Sequence, residues 1–190
     1  MAKLYFRYGV MSAGKTTLLL QVAHNYKMNN MKIIIVKPKI DTKGDNKIVS
    51  RIGLSSDVDI LLGCNETIYD YFENVCDSVC ILVDESQFLT RKQVKAFFKF
   101  CKTMDIPVIC YGLKSNFKGE LFEGSATLMA YADELEELKT ICSCGKTARF
   151  NGRKVDGEFT TSGEEVVIDG KSDIEYVPLC GHCYLKKVIK

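Results

Sequence analysis

Residues Gly9 to Thr16 read Gly-Val-Met-Ser-Ala-Gly-Lys-Thr, the spacing G-x-x-x-x-G-K-[ST] of a phosphate-binding loop. The motif has chemical meaning only between a strand and a helix, and its flanks supply both. Lys3 to Tyr8 is an apolar-leaning run suited to a strand, and Leu18, Leu19, Val22, Ala23 and Tyr26 follow helical spacing. Gly9 and Gly14 let the backbone N–H groups of Val10, Met11, Ser12 and Ala13 turn toward an anion at a helix N-terminus, where the helix dipole adds to the attraction. In such a loop Lys15 reaches the β- and γ-phosphates of a nucleotide, and the Thr16 hydroxyl holds Mg²⁺.

Beyond the loop, strand and helix signals alternate. Ile33 to Val36 and Val79 to Val83 are buried strands, and Pro107 to Cys110 is a third, with proline tolerated at its start. Helical patterns are expected near Ile68 to Phe72 and from Leu121 to Ala132. Another follows Thr90, an N-cap whose capping box is completed by Gln93. Phe97, Phe98 and Phe100 belong to the packing of that helix. Residues 38–58 are polar and glycine-punctuated and are expected to form a long loop. This order implies an α/β fold: a P-loop parallel β-sheet with helices on both faces. The strand at 79–83 ends in Asp84-Glu85-Ser86-Gln87, where a P-loop protein carries its second acidic motif. Asp84 is placed to hold Mg²⁺, and Glu85 to take a proton from an acceptor hydroxyl.

The 190 residues suffice for one full domain with a small appendage. A net charge of +2 offers no electrostatic case for nucleic-acid binding. No signal-peptide core opens the chain and no apolar run has the length of a membrane span, so a cytoplasmic protein with no membrane partner is expected. Helical periodicity fades near Lys139 and returns only at Leu185 to Lys190. The expected division is a nucleotide-binding domain at 1–139 and a small domain at 140–190. A segment of about 50 residues builds only a weak core of its own. Of nine cysteines, four fall there in two close pairs, Cys142 with Cys144 and Cys180 with Cys183. Without a secretion signal, such pairs favour structural Zn²⁺ over disulfides. His182 is an alternative to one thiolate, although the C-x-x-C spacing of the second pair favours sulfur.

Taken together these stretches resemble the type II thymidine kinases, over essentially the whole chain. The matching segments are Tyr8 to Thr17, Arg51 to Ser56, Asp84 to Thr90, Asp105 to Leu113, Phe117 to Phe122, Leu138 to Gly145 and Tyr176 to Tyr184. The C-x-C of the first cysteine pair is similar to the proteobacterial branch. The resemblance implies ATP-dependent phosphorylation of the 5′-hydroxyl of thymidine, with Glu85 as proton acceptor. Gly9 to Thr16 and Asp84 to Gln87 then form the ATP- and Mg²⁺-binding elements. Met11, Phe88, Leu113, Phe117 and Tyr176 enclose thymine and deoxyribose. It further implies a loop within Gly163 to Tyr176, with Gly170 and Asp173, that closes over the base. A homotetramer and feedback inhibition by dTTP are also implied. One departure is Asp41-Thr42-Lys43 where the family usually has Asp-x-Arg; either Lys43 or Arg51 is left to take the phosphate role of that arginine. Ser86 stands where alanine or cysteine is frequent, a change expected to be harmless. Two rival readings fit less well: a zinc-ribbon P-loop ATPase acting on nucleic acid, disfavoured by the charge, and a nucleotide sensor without turnover, disfavoured by Glu85.

Overall fold

Alternating apolar residues along the strands decide which helix covers which face. The computed structural model describes residues 1–42, 44–163 and 174–189. In chain order its first eight strands are β1 (Leu4–Tyr8), β2 (Ile33–Pro38), β3 (Lys47–Val49), β4 (Ser55–Asp57), β5 (Ile60–Leu62), β6 (Cys80–Val83), β7 (Val108–Gly112) and β8 (Glu134–Glu137). Between them lie the helices α1 (Lys15–Met28), α2 (Phe72–Val75), α3 (Arg91–Met104) and α4 (Glu123–Tyr131). Six strands form one sheet in the order β5-β2-β6-β7-β1-β8, every neighbouring pair parallel.

Successive residues of β2 point to opposite faces, as strand geometry requires. Ile33 and Ile35 pack with Leu82 and Ile109 against Leu19, Leu20 and Ala23 of α1. Ile34 and Val36 pack with Phe6, Ile81 and Val108 against Val94, Phe97 and Phe100 of α3. Each Val, Leu, Ile or Phe among them, removed fully from water, contributes roughly 1.5–3 kcal/mol. Thr90 caps α3 and shares a capping box with Gln93. The amide of Gln93 also donates to the carbonyls of Gly63 (2.7 Å) and Glu66 (3.0 Å), tying the helix start to the loop after β5.

The C-terminal segment adds β9 (Thr140–Ile141), β10 (Thr147–Ala148), β11 (Phe150–Val155), β12 (Glu158–Thr160), β13 (Ile174–Leu179) and the single-turn helix α5 (Gly181–Tyr184). β11 is the centre of a three-stranded antiparallel sheet between β12 and β13. A separate apolar cluster joins Val10 to Cys142, Ala148, Leu179, Cys180, Cys183 and Tyr184. Phe150 stacks on Tyr184 at 4.5 Å, and the Tyr184 hydroxyl donates to the Phe117 carbonyl at 2.7 Å. The small sheet is thus pinned to the segment after β7.

Several expectations need correction. Residues 38–58 contain the β3–β4 hairpin, held by Ile48, which is buried on an otherwise exposed strand. The helical pattern near residue 68 is a 3₁₀ turn at Ile68–Tyr71 followed by the single turn α2. α4 begins at Glu123, not Leu121, and Gly124 lies inside it because an added Cβ would sit 2.6 Å from the carbonyl oxygens of Ser86 and Leu89. The C-terminal helical signal is α5 followed by a wide π turn at Leu185–Ile189. The sheet also contains β5 and β8, neither of which carries a strand signal in the sequence. Lys43, Lys190 and most of the anticipated base-covering loop, including Gly170 and Asp173, lie outside the described residues. No helix among the described residues is long and apolar enough to cross a membrane.

Candidate active site

The phosphate loop leaves the C-terminal end of β1 and feeds α1 through Gly14, which has φ +77° and serves as N-cap. That left-handed conformation suits a residue without Cβ. Gly9 is required for a different reason: a Cβ there would lie 2.7 Å from the Leu138 carbonyl oxygen and 2.8 Å from the Ala13 Cβ. Ser12 is also left-handed, at φ +64°. Lys15 is buried at the helix start, with its ammonium donating to the Val10 carbonyl at 2.9 Å. The next hydroxyl, of Thr16, donates to Asp84 Oδ2 at 3.1 Å. That contact brings the loop after β1 to the end of β6, although β7 lies between the two strands. A hydroxyl and a carboxylate this close form an oxygen donor pair suited to a hard cation such as Mg²⁺.

Asp84 is 3% exposed. Burial, and next the charge of Glu85, push its carboxyl up to about 7, against the hydrogen bonds it accepts. Glu85 itself has φ +46°, an uncommon conformation for a side-chain-bearing residue that costs on the order of 1–3 kcal/mol. The turn is held by Gln87, whose amide donates to Glu85 Oε2 at 2.6 Å while its oxygen accepts from the Leu113 N–H at 3.0 Å. Gly112 makes this possible. A Cβ at that strand end would meet Ser86 Oγ at 2.6 Å, Gln87 Oε1 at 2.9 Å and the Gln87 backbone nitrogen at 3.0 Å.

A cavity of about 600 Å³ runs along these elements. Its lining includes Lys15, Thr16, Asp84, Glu85 and Gln87. The same cavity brings in Met11, Phe88, Leu113, Phe117 and Tyr176, apolar and aromatic side chains that supply a wall. Phe88 meets Phe122 edge to face at 6.0 Å. Arg153 lies over the Phe117 ring at 4.8 Å, so a buried cation backs the wall. Across the mouth, the Arg51 guanidinium donates to the Ser12 hydroxyl. Lys37, 1% exposed, pairs with Asp41 at 3.0 Å and approaches the carbonyls of Asp45 and Lys47 at 3.4 Å, fixing the hairpin to the sheet.

Sequence reasoning missed several buried polar groups on this cavity, among them Ser115, Asn116 and Asn151. Asn116 closes a turn by accepting from the N–H groups of Lys118 and Glu120, each at 3.0 Å. An Asn two residues before a lysine and three before a glycine is a turn signal, visible in principle. For Asn151 the local signal misleads, because Asn-Gly commonly marks a hairpin turn, whereas here it lies in mid-strand.

A second site packs against Val10. The sulfur atoms of Cys142, Cys144, Cys180 and Cys183 all fall within 4.8 Å of one another, with Cys144 and Cys180 at 3.5 Å. Cys144 faces solvent and the other three are buried. Backbone N–H donation, first from Cys144, holds Cys142 down to about 6, whereas hydrogen bonding to neighbouring sulfurs, first Cys144, pushes Cys183 up to about 12. Four sulfurs at this separation suit a tetrahedral thiolate site and can hold a metal ion. His182 is not in the cluster.

A parallel sheet whose first strand runs through a glycine loop into a helix, with a buried acid from another strand bonded to the loop threonine, is the P-loop α/β class. Within that class a sequence profile described as thymidine kinase matches residues 2–184. A thymidine kinase of Rhodopirellula baltica is 44% identical over 182 residues, covering 93% of this chain and 86% of that protein. One from Salmonella choleraesuis is 46% identical over 189 residues, covering 97% and 91%. One from Pasteurella multocida is 42% identical over 192 residues, covering 99% of each. The chain belongs to the thymidine kinase family.

Proposed function

We propose that this chain transfers the γ-phosphoryl group of ATP to the 5′-hydroxyl of thymidine, giving ADP and thymidine monophosphate. The observation that carries the reading is one cavity lined together by phosphate-loop residues, by the carboxylates of Asp84 and Glu85, and by apolar and aromatic side chains. An ATP triphosphate lies along the loop N–H groups of Gly9 to Thr16, and Lys15 turns from the Val10 carbonyl to the β- and γ-phosphates. Thr16 and Asp84 would hold Mg²⁺, which would supply charge neutralisation at the phosphates. Glu85, aimed by Gln87, accepts the proton of the attacking hydroxyl. Phosphoryl transfer has a loose transition state, so placing the hydroxyl in line matters more than the basicity of Glu85.

Met11, Phe88, Leu113, Phe117 and Tyr176 form the nucleoside pocket. Apolar walls discriminate modestly, by about 1–3 kcal/mol for a methyl-sized group. Deoxyuridine is therefore a poorer substrate and not an excluded one. Arg51, already at Ser12, takes the phosphate role of the family's usual arginine. The four cysteines, two between β9 and β10 and two at α5, would hold a structural zinc, and the division proposed is a kinase domain at 1–139 with a small zinc-binding domain after it. A cytoplasmic homotetramer inhibited by dTTP completes the reading.

The test is ADP release by the purified protein with Mg²⁺ and ATP. Thymidine should stimulate it strongly, and single-stranded DNA should not. Stimulation by DNA alone would replace this reading with that of a nucleic-acid-dependent ATPase.

A further inference from the structure

We propose that Asn151 is a positioning residue that clamps the phosphate loop to the nucleoside wall and so sets the distance between donor and acceptor. Its side chain makes two hydrogen bonds to two different segments. Asn151 Oδ1 accepts from the Met11 N–H at 2.8 Å, and Asn151 Nδ2 donates to the Ser115 carbonyl at 3.1 Å. Met11 belongs to the phosphate loop, and Ser115 lies between the wall residues Leu113 and Phe117. Both bonds are made by one amide that is 3% exposed, where water does not compete.

The strand register forces this placement. Neighbouring residues of β11 face opposite ways, and Gly152 faces Leu179 and Phe159 so closely that its added Cβ would lie 2.6 and 2.8 Å from their side chains. Only glycine fits that face. Asn151 and Arg153 therefore point the other way, Asn151 at the loop and Arg153 over the Phe117 ring. A register slip by one residue would place a side chain in the space kept open by Gly152.

β1 and β7 are joined by a parallel ladder whose pairing ends at Tyr8 and Gly112, followed by a long main-chain bond from the Gly9 N–H to the Gly112 carbonyl at 3.3 Å. Met11 and Ser115 lie in the two loops beyond that ladder. The Asn151 amide ties those loops to each other past the last of these main-chain bonds. Removing it lets the two walls move apart, and a misplacement of about 1 Å costs on the order of 10²-fold in rate.

This inference rests on the thymidine kinase reading, and its test separates the two. In Asn151→Ala both bonds are lost. In Asn151→Asp the Met11 bond is kept, and a carboxylate oxygen faces the Ser115 carbonyl in place of the donor. The first readout is hydrogen–deuterium exchange of the unliganded, metal-loaded protein, which needs no activity. Peptides covering 9–14 and 113–118 should both exchange faster in Asn151→Ala; in Asn151→Asp the change should be confined to 113–118. The second readout is kinetic. In both variants kcat at saturating substrates should fall by about 10- to 100-fold, while the separate dissociation constants for thymidine and for ADP change by less than about threefold. Unaltered exchange in both peptides overturns the clamp whatever the activity. So does a variant whose loss is entirely weaker thymidine binding with kcat intact, which would make Asn151 a nucleoside contact. Absence of thymidine phosphorylation by the unsubstituted protein would instead overturn the reading on which the clamp rests.

Discussion

Gly112→Ala tests whether the turn over the end of β7 is as tightly built as its distances require. A strand glycine replaced by alanine normally stabilises a chain by about 0.4–1 kcal/mol through the unfolded state, where the backbone tolerates the change. Here the new methyl would meet Ser86 Oγ at 2.6 Å, Gln87 Oε1 at 2.9 Å and the Gln87 backbone nitrogen at 3.0 Å. The Ser86 side chain is fully buried and Gln87 is 2% exposed, so neither can swing into solvent, and the third contact is main chain. Overpacking of this kind costs about 1–3 kcal/mol. For a chain of this length, each kcal/mol lowers Tm by about 2–4 °C. After the entropic gain is set against the clash, Gly112→Ala should lower Tm by up to roughly 10 °C. Activity should suffer more, since Gln87 holds both Glu85 and the Leu113 N–H. A fall in kcat of about tenfold or more is expected, with ADP affinity less affected. Gly181→Ala is the control. Its Cβ would meet only Phe150 Cε2, at an ordinary 3.6 Å, and stability should stay within about 0.5 kcal/mol. Differential scanning calorimetry and steady-state kinetics on both variants decide the matter. A Gly112→Ala protein with unchanged Tm and kcat would refute the packing argument.

Two further predictions concern charge and metal. The folded Asp84 carboxyl, raised by burial and by Glu85, contributes stability below its unfolded pKa of about 4 that is lost as pH rises through about 7. Without added Mg²⁺, the Tm advantage of Asp84→Asn over the unsubstituted protein should therefore grow between pH 5 and 8, and a pH-independent difference would contradict the assignment. Cys180→Ala should lose the bound metal and unfold the C-terminal segment first, because the cluster around Cys142, Cys180 and Cys183 is small. Metal analysis of the purified protein should give one zinc per chain before the substitution, and retention of metal and stability after it would remove the four-thiolate site.

How much was legible in the sequence depended on whether a signal was local. The phosphate loop was, because Gly9, Gly14, Lys15 and Thr16 are constrained by chemistry within eight positions. So was the cap of α3, since Thr90 and Gln93 form their box with each other. The four cysteines were legible as two spaced pairs, although only the fold brings Cys144 within 3.5 Å of Cys180. Short strands were not. β5 has three residues, and β8 reads Glu-Leu-Glu-Glu, an edge strand whose acids guard it against further pairing and hide its period. Lys37 would ordinarily be placed at the surface; its burial follows from Asp41 and hairpin carbonyls. Asn151 was the least legible, because its role is set by a glycine neighbour that the local code reads as a turn and by two backbone groups in distant segments.

The central claim is that Glu85 accepts the proton while the γ-phosphoryl group passes to thymidine. The most direct measurement follows transfer of label from γ-labelled ATP to thymidine by the unsubstituted protein and by Glu85→Gln, at saturating concentrations of both substrates. Glutamine keeps the shape of the side chain and its contact with Gln87 within reach, and removes only the acceptor charge. The account predicts labelled thymidine monophosphate from the unsubstituted protein, and a kcat lower by about 10²- to 10⁴-fold in the variant with thymidine and ADP still bound. A variant within about threefold of normal turnover, well short of the general-base range, would contradict it.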